Sequence, residues 1–210
     1  SIIALIKHLS DDDRFGVVLF ESRAHLAKPL RLVADTDMSA IKNHISEIKT
    51  RGGTNMSSAI KLGTEMFEGL LNVDYNEYEN RIIFLTDAMP NAGEFSEGGL
   101  FDEMERNALE GINSTFIGIG VDFQSDLIDR ITKVKGANYY SVHSAIDFKK
   151  RMDTEFEFMV TPLAFDLQLT LTGNGYEIDK IYGSANADQM TGDILNINTL
   201  FPSSSNNGEN

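Results

Sequence analysis

A chain of 210 residues, 41% of them hydrophobic, has enough apolar material for one sizeable packed domain and an accessory unit. Its 32 acidic against 18 basic residues give a formal charge of -14, which repels phosphate backbones and anionic headgroups, so no nucleic acid is expected as a partner. The absence of cysteine excludes disulfides, thiolate metal sites and cysteine nucleophiles, and no run approaches the roughly 18 apolar residues that a bilayer crossing needs, so this segment is not expected to insert directly into a membrane.

The chain opens inside a helical pattern, with Ile2, Leu5, Ile6 and Leu9 on one face and no capping residue ahead of them. The expectation is a helix already under way at Ser1 and ending near residues 10–13. Residues 15–20 form a short, nearly all-apolar run, the pattern of a strand buried on both faces. Residues 24–29 read as its hairpin partner at a sheet edge, where Pro29 is tolerated. Met38, Ile41, Ile45 and Ile48 mark one face of a helix over 37–49, and a glycine-containing loop follows at 50–54. A second helix should start at Asn55 or Ser57 and run through Met66 and Phe67. Residues 81–85 and 115–119 read as buried strands, separated by a glycine-rich connection at 94–99 and a helix through Met104 and Leu109. A helix over 126–134, a strand over 138–142 and a helix over 145–160 complete the alternation.

Alternating strands and helices imply an α/β fold: a doubly wound, mostly parallel sheet with helices on both faces. After Pro162 the period changes to two, with Phe165, Leu167, Leu169 and Leu171 alternating with Asp166, Gln168, Thr170 and Thr172. Residues 176–182 and 193–200 extend this β-rich tail. The reading is therefore an α/β domain over 1–160, an incomplete β-rich extension over 161–201 in a unit of its own, and a polar linker or disordered end over 202–210.

Ligands of such sheets bind beyond the carboxyl ends of the strands, and two motifs fall there. Arg51-Gly52-Gly53-Thr54-Asn55 offers a hydroxyl after a glycine pair, and Leu85-Thr86-Asp87-Ala88-Met89-Pro90-Asn91 offers a carboxylate at a strand end. Hard divalent cations take oxygen ligands of this kind, converging from separate loops. Each motif alone has a plain structural reading, a turn for the first and a helix cap for the second.

In order, and about thirty residues apart on α/β units, the two motifs resemble those of the von Willebrand factor type A domain. Gly53-Thr54-Asn55 with the Thr86-Asp87 turn is similar to its bacterial branch, which is related to inter-alpha-trypsin inhibitor heavy chains and calcium-activated chloride channel homologues. Gly120-Val121-Asp122-Phe123 and Asn138-Tyr139-Tyr140 carry the same likeness. The resemblance implies a metal-ion-dependent adhesion site in which Thr54 and Asp87 hold Mg²⁺ (or Ca²⁺ or Mn²⁺), with Asn55, Met89 and Asn91 on the partner-binding rim. It implies as partner a protein ligand whose exposed acidic side chain completes the octahedron, an extracytoplasmic setting, and no enzymatic activity. The family's third motif, an Asp-x-Ser-x-Ser strand end, is absent from this sequence. Without it the expectation is a sheet missing its first strand, a slot between two strands or one filled by another strand, and weak metal binding or none. Two alternatives stand beside this reading: a metal-free interaction domain, and a hydrolase or phosphotransferase using Asp87, against which counts the lack of a base or lysine in the same motif.

Other patterns point to ordinary roles. His8, His25, His44 and His143 show no i, i+4 pair and do not read as a zinc site. Gly118-Ile119-Gly120 lacks the third glycine of a dinucleotide loop, and no P-loop or Gly-x-Ser-x-Gly elbow occurs. Asn113-Ser114-Thr115 and Asn55-Met56-Ser57 match glycosylation acceptors by chance, one abutting a buried strand and the other the proposed site. The methionines are expected to pack helices into the core.

Overall fold

The computed structural model describes residues 2–47, 54–68, 70, 77–87, 99–120, 125–184 and 187–203. The opening pattern forms helix α1 (Ile2–Leu5) and a 3₁₀ turn (Ile6–His8). Strand β1 (Arg14–Phe20) then pairs antiparallel with β2 (Ala24–Leu32). The register between them slips at Phe15/Val17 and again at Val17/Val18, opposite Pro29 and its neighbours. Proline has no N–H to give a ladder, so the strands bulge there rather than break. Gly16 sits in that bulge because a side chain would press on the Lys28 carbonyl at 3.0 Å and the Leu30 amide at 3.1 Å.

Helices α2 (Met38–Glu47) and α3 (Met56–Glu68) lead to β3 (Asn80–Thr86), and α4 (Leu100–Leu109) leads to β4 (Ile112–Ile119). Helix α5 (Ser125–Lys133), β5 (Asn138–Val142) and α6 (Ala145–Val160) follow. Strands β3, β4 and β5 form a parallel sheet in that order, as the alternation requires. One face carries α3, α4 and α5, whose Met56, Ile60, Leu100, Met104, Leu127 and Ile131 close over Phe84 and Phe116. The opposite face carries Leu5 of α1 and Phe148, Met152 and Met159 of α6 over Ile117 and Val142. Beside it, Ile6, Phe15 and Val33 pack with Met38, Ile41 and Ile45 of α2. Helices thus cover both faces, and four of the methionines, 56, 104, 152 and 159, fill the core; Met190, in the tail, stands 97% exposed.

The sheet is divided. Among the described residues β1 pairs only with β2 and β3 only with β4, so the two ladders do not join. They meet through side chains: Phe20 of β1 lies edge-on to Phe84 of β3 with ring centroids 6.1 Å apart, and Phe84 stacks on Phe116 at 4.7 Å. Val18 and Phe20 share one core with Ile82.

Past Thr161, β6 (Ala164–Thr170) and β7 (Asp193–Leu200) form a two-stranded antiparallel ribbon. The expected strand character of residues 176–182 is not realised: the segment is irregular, Tyr176 and Tyr182 are exposed, and its apolar alternation meets no partner strand to ladder with. The ribbon touches the domain at the loop between α5 and β5, where the Thr199 hydroxyl accepts from the Gly136 amide at 2.8 Å, Asn198 Nδ2 donates to the Lys133 carbonyl at 3.2 Å, and Lys135 pairs with Asp166 at 2.6 Å.

Candidate functional site

The carboxyl ends of the strands define one rim. The Glu21 carbonyl, one residue beyond β1, accepts from the Asn55 amide at 2.8 Å, and Asn55 Nδ2 donates to the Ser22 carbonyl at 3.4 Å. The loop holding Thr54 is therefore tied to the end of β1. Phe20, the last residue of that strand, packs on Phe84, and Asp87 follows three residues later, just past the end of β3. Both sequence-selected oxygen donors stand at the same end of the fold, Thr54 half-buried and Asp87 exposed. At that end the Gly120 amide also donates to the Val142 carbonyl at 2.7 Å, tying β4 to β5.

Asn55 has local work besides any rim role. Its Oδ1 accepts from the Ser58 amide at 2.8 Å, the N-cap bond that starts α3, while its Nδ2 holds the β1 turn. Met89 and Asn91 lie outside the described residues, as do Arg51, Gly52 and Gly53 and the Val121-Asp122-Phe123 segment.

In chemistry, a threonine hydroxyl and a carboxylate suit a hard cation; in number, two protein donors fall short of an octahedron. Among the described residues no three His, Cys, Asp or Glu side chains cluster as a metal site. His8 stacks on Phe156 and approaches Asp153, and His25 approaches Glu21, ordinary surface pairings. Asn113 is buried in β4 and donates to Glu79 at 2.8 Å, which fits its reading as a chance acceptor match.

Sequence reasoning missed a polar cluster at the opposite, amino end of the sheet. The Arg81 guanidinium is nearly buried and donates to the Ser114 and Gly136 carbonyls, the Thr115 hydroxyl and the Glu79 carboxylate, with the Phe201 ring across it at 5.5 Å. Burial holds its pKa below the ordinary arginine value, with Glu79 opposing. Asn138 accepts from Thr115 at 2.6 Å and donates to the Met159 carbonyl at the end of α6 and to the Tyr140 hydroxyl at 3.3 Å. Burial pushes the Tyr140 phenol above its usual value, and the Arg81 charge pulls the other way. Lys28, buried in β2, donates to the Phe15 and Pro29 carbonyls over the Phe15 ring; its pKa is lowered by burial and then by Arg31. The only advance signal was the odd placing of Arg, Asn and Thr at strand starts.

Residues 1–90 match a family described as von Willebrand factor type A domain. A curated relative, inter-alpha-trypsin inhibitor heavy chain H4 of Bos taurus, is 24% identical over 186 residues, which cover 84% of this chain and 20% of the relative. The chain therefore spans about a fifth of that protein's length. Among solved structures, a von Willebrand factor type A protein from Catenulispora acidiphila superposes with a TM-score of 0.58 at 16% identity, covering 80% of this chain and 38% of that one. Proximal thread matrix protein 1 from the mussel byssus, with a zinc-occupied MIDAS motif, gives 0.55 at 21% identity, covering 76% and 40%. The matched residues, the relative and the shared layering of helices about the sheet agree that this chain is similar to von Willebrand factor type A domains.

Proposed function

We propose that the rim bearing Thr54 and Asp87 is a divalent-cation-dependent protein-binding face, a module for adhesion or assembly and not an enzyme. The observation that carries this reading is the linkage of Asn55 to Glu21 and of Phe20 to Phe84, which draws the two oxygen donors to one end of the sheet. In it, the Thr54 hydroxyl and the Asp87 carboxylate hold Mg²⁺, Ca²⁺ or Mn²⁺, an acidic side chain of the partner supplies a further oxygen, and Asn55, Met89 and Asn91 border the contact. The mussel protein with zinc in its MIDAS motif supports a metal role for a rim of this fold. An extracytoplasmic setting goes with the same reading; among the described residues no helix is long and apolar enough to cross a membrane.

The divided sheet bears on affinity. Among the described residues β1 and β3 each carry a ladder on one side only, so a strand between them could pair with both and bring additional ligands to the rim; with Thr54 and Asp87 alone, a cation recovers little of its dehydration cost. That shortage favours a metal-free interaction domain as the second reading. Titration of Mn²⁺ into the full chain by calorimetry tests both. The expected result is millimolar or weaker binding that disappears in Asp87→Ala and Thr54→Ala. Sub-millimolar binding refutes the shortage of ligands, and binding indifferent to both substitutions refutes the site.

A further inference from the structure

The β6–β7 ribbon presents an apolar face that stands largely uncovered among the described residues. Leu167 and Leu169 stand opposite Ile197 and Leu195 across the ladder, and Leu163, Phe165, Leu167, Leu169 and Leu171 are 40–67% exposed. Docking to the domain uses the other end: Asp166, Asn198 and Thr199 make the bonds to Lys135, Lys133 and Gly136, and the Phe165 ring lies under Lys135 at 5.0 Å. At the far end Leu171 opens onto a concavity of about 360 Å³ lined by Gly173, Tyr176, Glu177 and Ile178. A two-stranded ribbon is marginal by itself, and an uncovered apolar stripe of this size on a folded chain marks an interaction surface.

Three features specify the occupant. The period of two on both strands calls for an extended partner, since a helix cannot follow that spacing. Among the described residues each strand of the ribbon has a ladder on one side only, β7 meeting one further bridge at Asp193 from Asp188, so backbone hydrogen bonds are available to a strand added along β6. The charge is one-sided: residues 163–200 hold Asp166, Glu177, Asp179, Asp188 and Asp193 against a single base, Lys180, and Asp166 is already paired with Lys135. A second copy would bring the same acidic rim against its own, which opposes self-association.

We propose that β6–β7 is the acceptor for an amphipathic β-strand of another protein segment, one whose alternate apolar side chains extend the Leu167, Leu169 and Leu171 face and whose Lys or Arg flank meets Glu177 and Asp179. This surface lies at the end of the fold away from Thr54 and Asp87, and its occupancy requires no cation. The probe is a synthetic ten-residue peptide of alternating valine and threonine with two lysines at each end, against the same peptide ended with glutamates, both offered to the full chain in EDTA. The lysine peptide is expected to bind and to slow amide exchange across residues 164–171, with the glutamate peptide about tenfold weaker or more. Leu169→Asp, at a half-exposed position, is expected to abolish binding with unchanged far-UV circular dichroism and Tm. Equal affinity for the two peptides, or no slowing of exchange with the lysine peptide, overturns the proposal. Sedimentation that shows a dimer which Leu169→Asp converts to monomer also overturns it, assigning the face to a second copy instead.

Discussion

The contact between Phe20 and Phe84 is the ring contact that sets β1 against β3 in the absence of a ladder, within the core that Val18 and Ile82 share, so it helps to place Thr54 and Asp87 together. A double-mutant cycle measures it. Phe84 is 3% exposed and touches two rings, so Phe84→Leu removes an edge-on contact with Phe20 at 6.1 Å and 74° as well as a stack on Phe116 at 4.7 Å and 6°. Aromatic pairs at such separations contribute about 0.5–1.5 kcal/mol beyond the area they bury. Each single leucine variant is expected to lose on the order of 1–2 kcal/mol, since the hydrophobic volume is largely kept. Combining Phe20→Leu with Phe84→Leu should cost less than the sum by roughly 0.5–1 kcal/mol, above the roughly 0.3–0.5 kcal/mol within which independent sites add. Urea unfolding followed by far-UV circular dichroism is the assay, because the chain has no tryptophan. The Phe84/Phe116 pair, joined across a hydrogen-bonded ladder, is the positive control and should couple by a similar amount. If that control couples and Phe20/Phe84 adds independently, β1 is not seated on β3, and the argument that the two oxygen donors share a rim fails.

Two further expectations follow from single groups. Asn55→Ala removes the acceptor for the Ser58 amide and should lower stability by about 1 kcal/mol, whereas Asn55→Asp keeps the cap and should stay near the parent; equal unfolding midpoints for parent and alanine variant would remove the capping role. Tyr140 has its folded pKa raised, so the folded state retains a proton that the unfolded chain loses near pH 10; its contribution is fully present below that value and is lost as pH rises through the folded pKa. Absorbance titration at 295 nm should show one phenol ionising later than the rest, and Tyr140→Phe should remove that late step and flatten the alkaline fall in stability. A late step that survives the substitution assigns the shift elsewhere.

The periodicities of the sequence were sufficient for the doubly wound layers because the parallel strands are packed by helices from both sides: β5 and α6 run over Asn138–Val142 and Ala145–Val160 as their patterns predict. Residues 176–182 show the limit of that reasoning, since alternation describes a strand only when another strand is there to pair with it. The rim was legible as chemistry, a hydroxyl and a carboxylate at strand ends, but not as geometry. Nothing in the spacing of Thr54 and Asp87 tells that the Asn55 amide reaches Glu21 or that Phe20 meets Phe84, because those are long-range contacts chosen by packing.

The amino end of the sheet was illegible for a different reason. Arg81, Thr115 and Asn138 sit near the starts of strands that are recognised by the apolar runs that follow, and a propensity reading treats them as interruptions. Buried, they become partners that must all be satisfied at once, since a guanidinium out of water is costly unless its donors are used. Arg81 meets most of that demand through its two terminal nitrogens, which join β3, β4 and the α5–β5 loop in one network, while its Nε is buried with no hydrogen-bond partner among the described residues; Phe201 lies across it just past the end of β7. The ribbon is thereby held at the end of the sheet remote from Thr54 and Asp87. A strand captured there would leave the rim unobstructed, so the two surfaces can be occupied together.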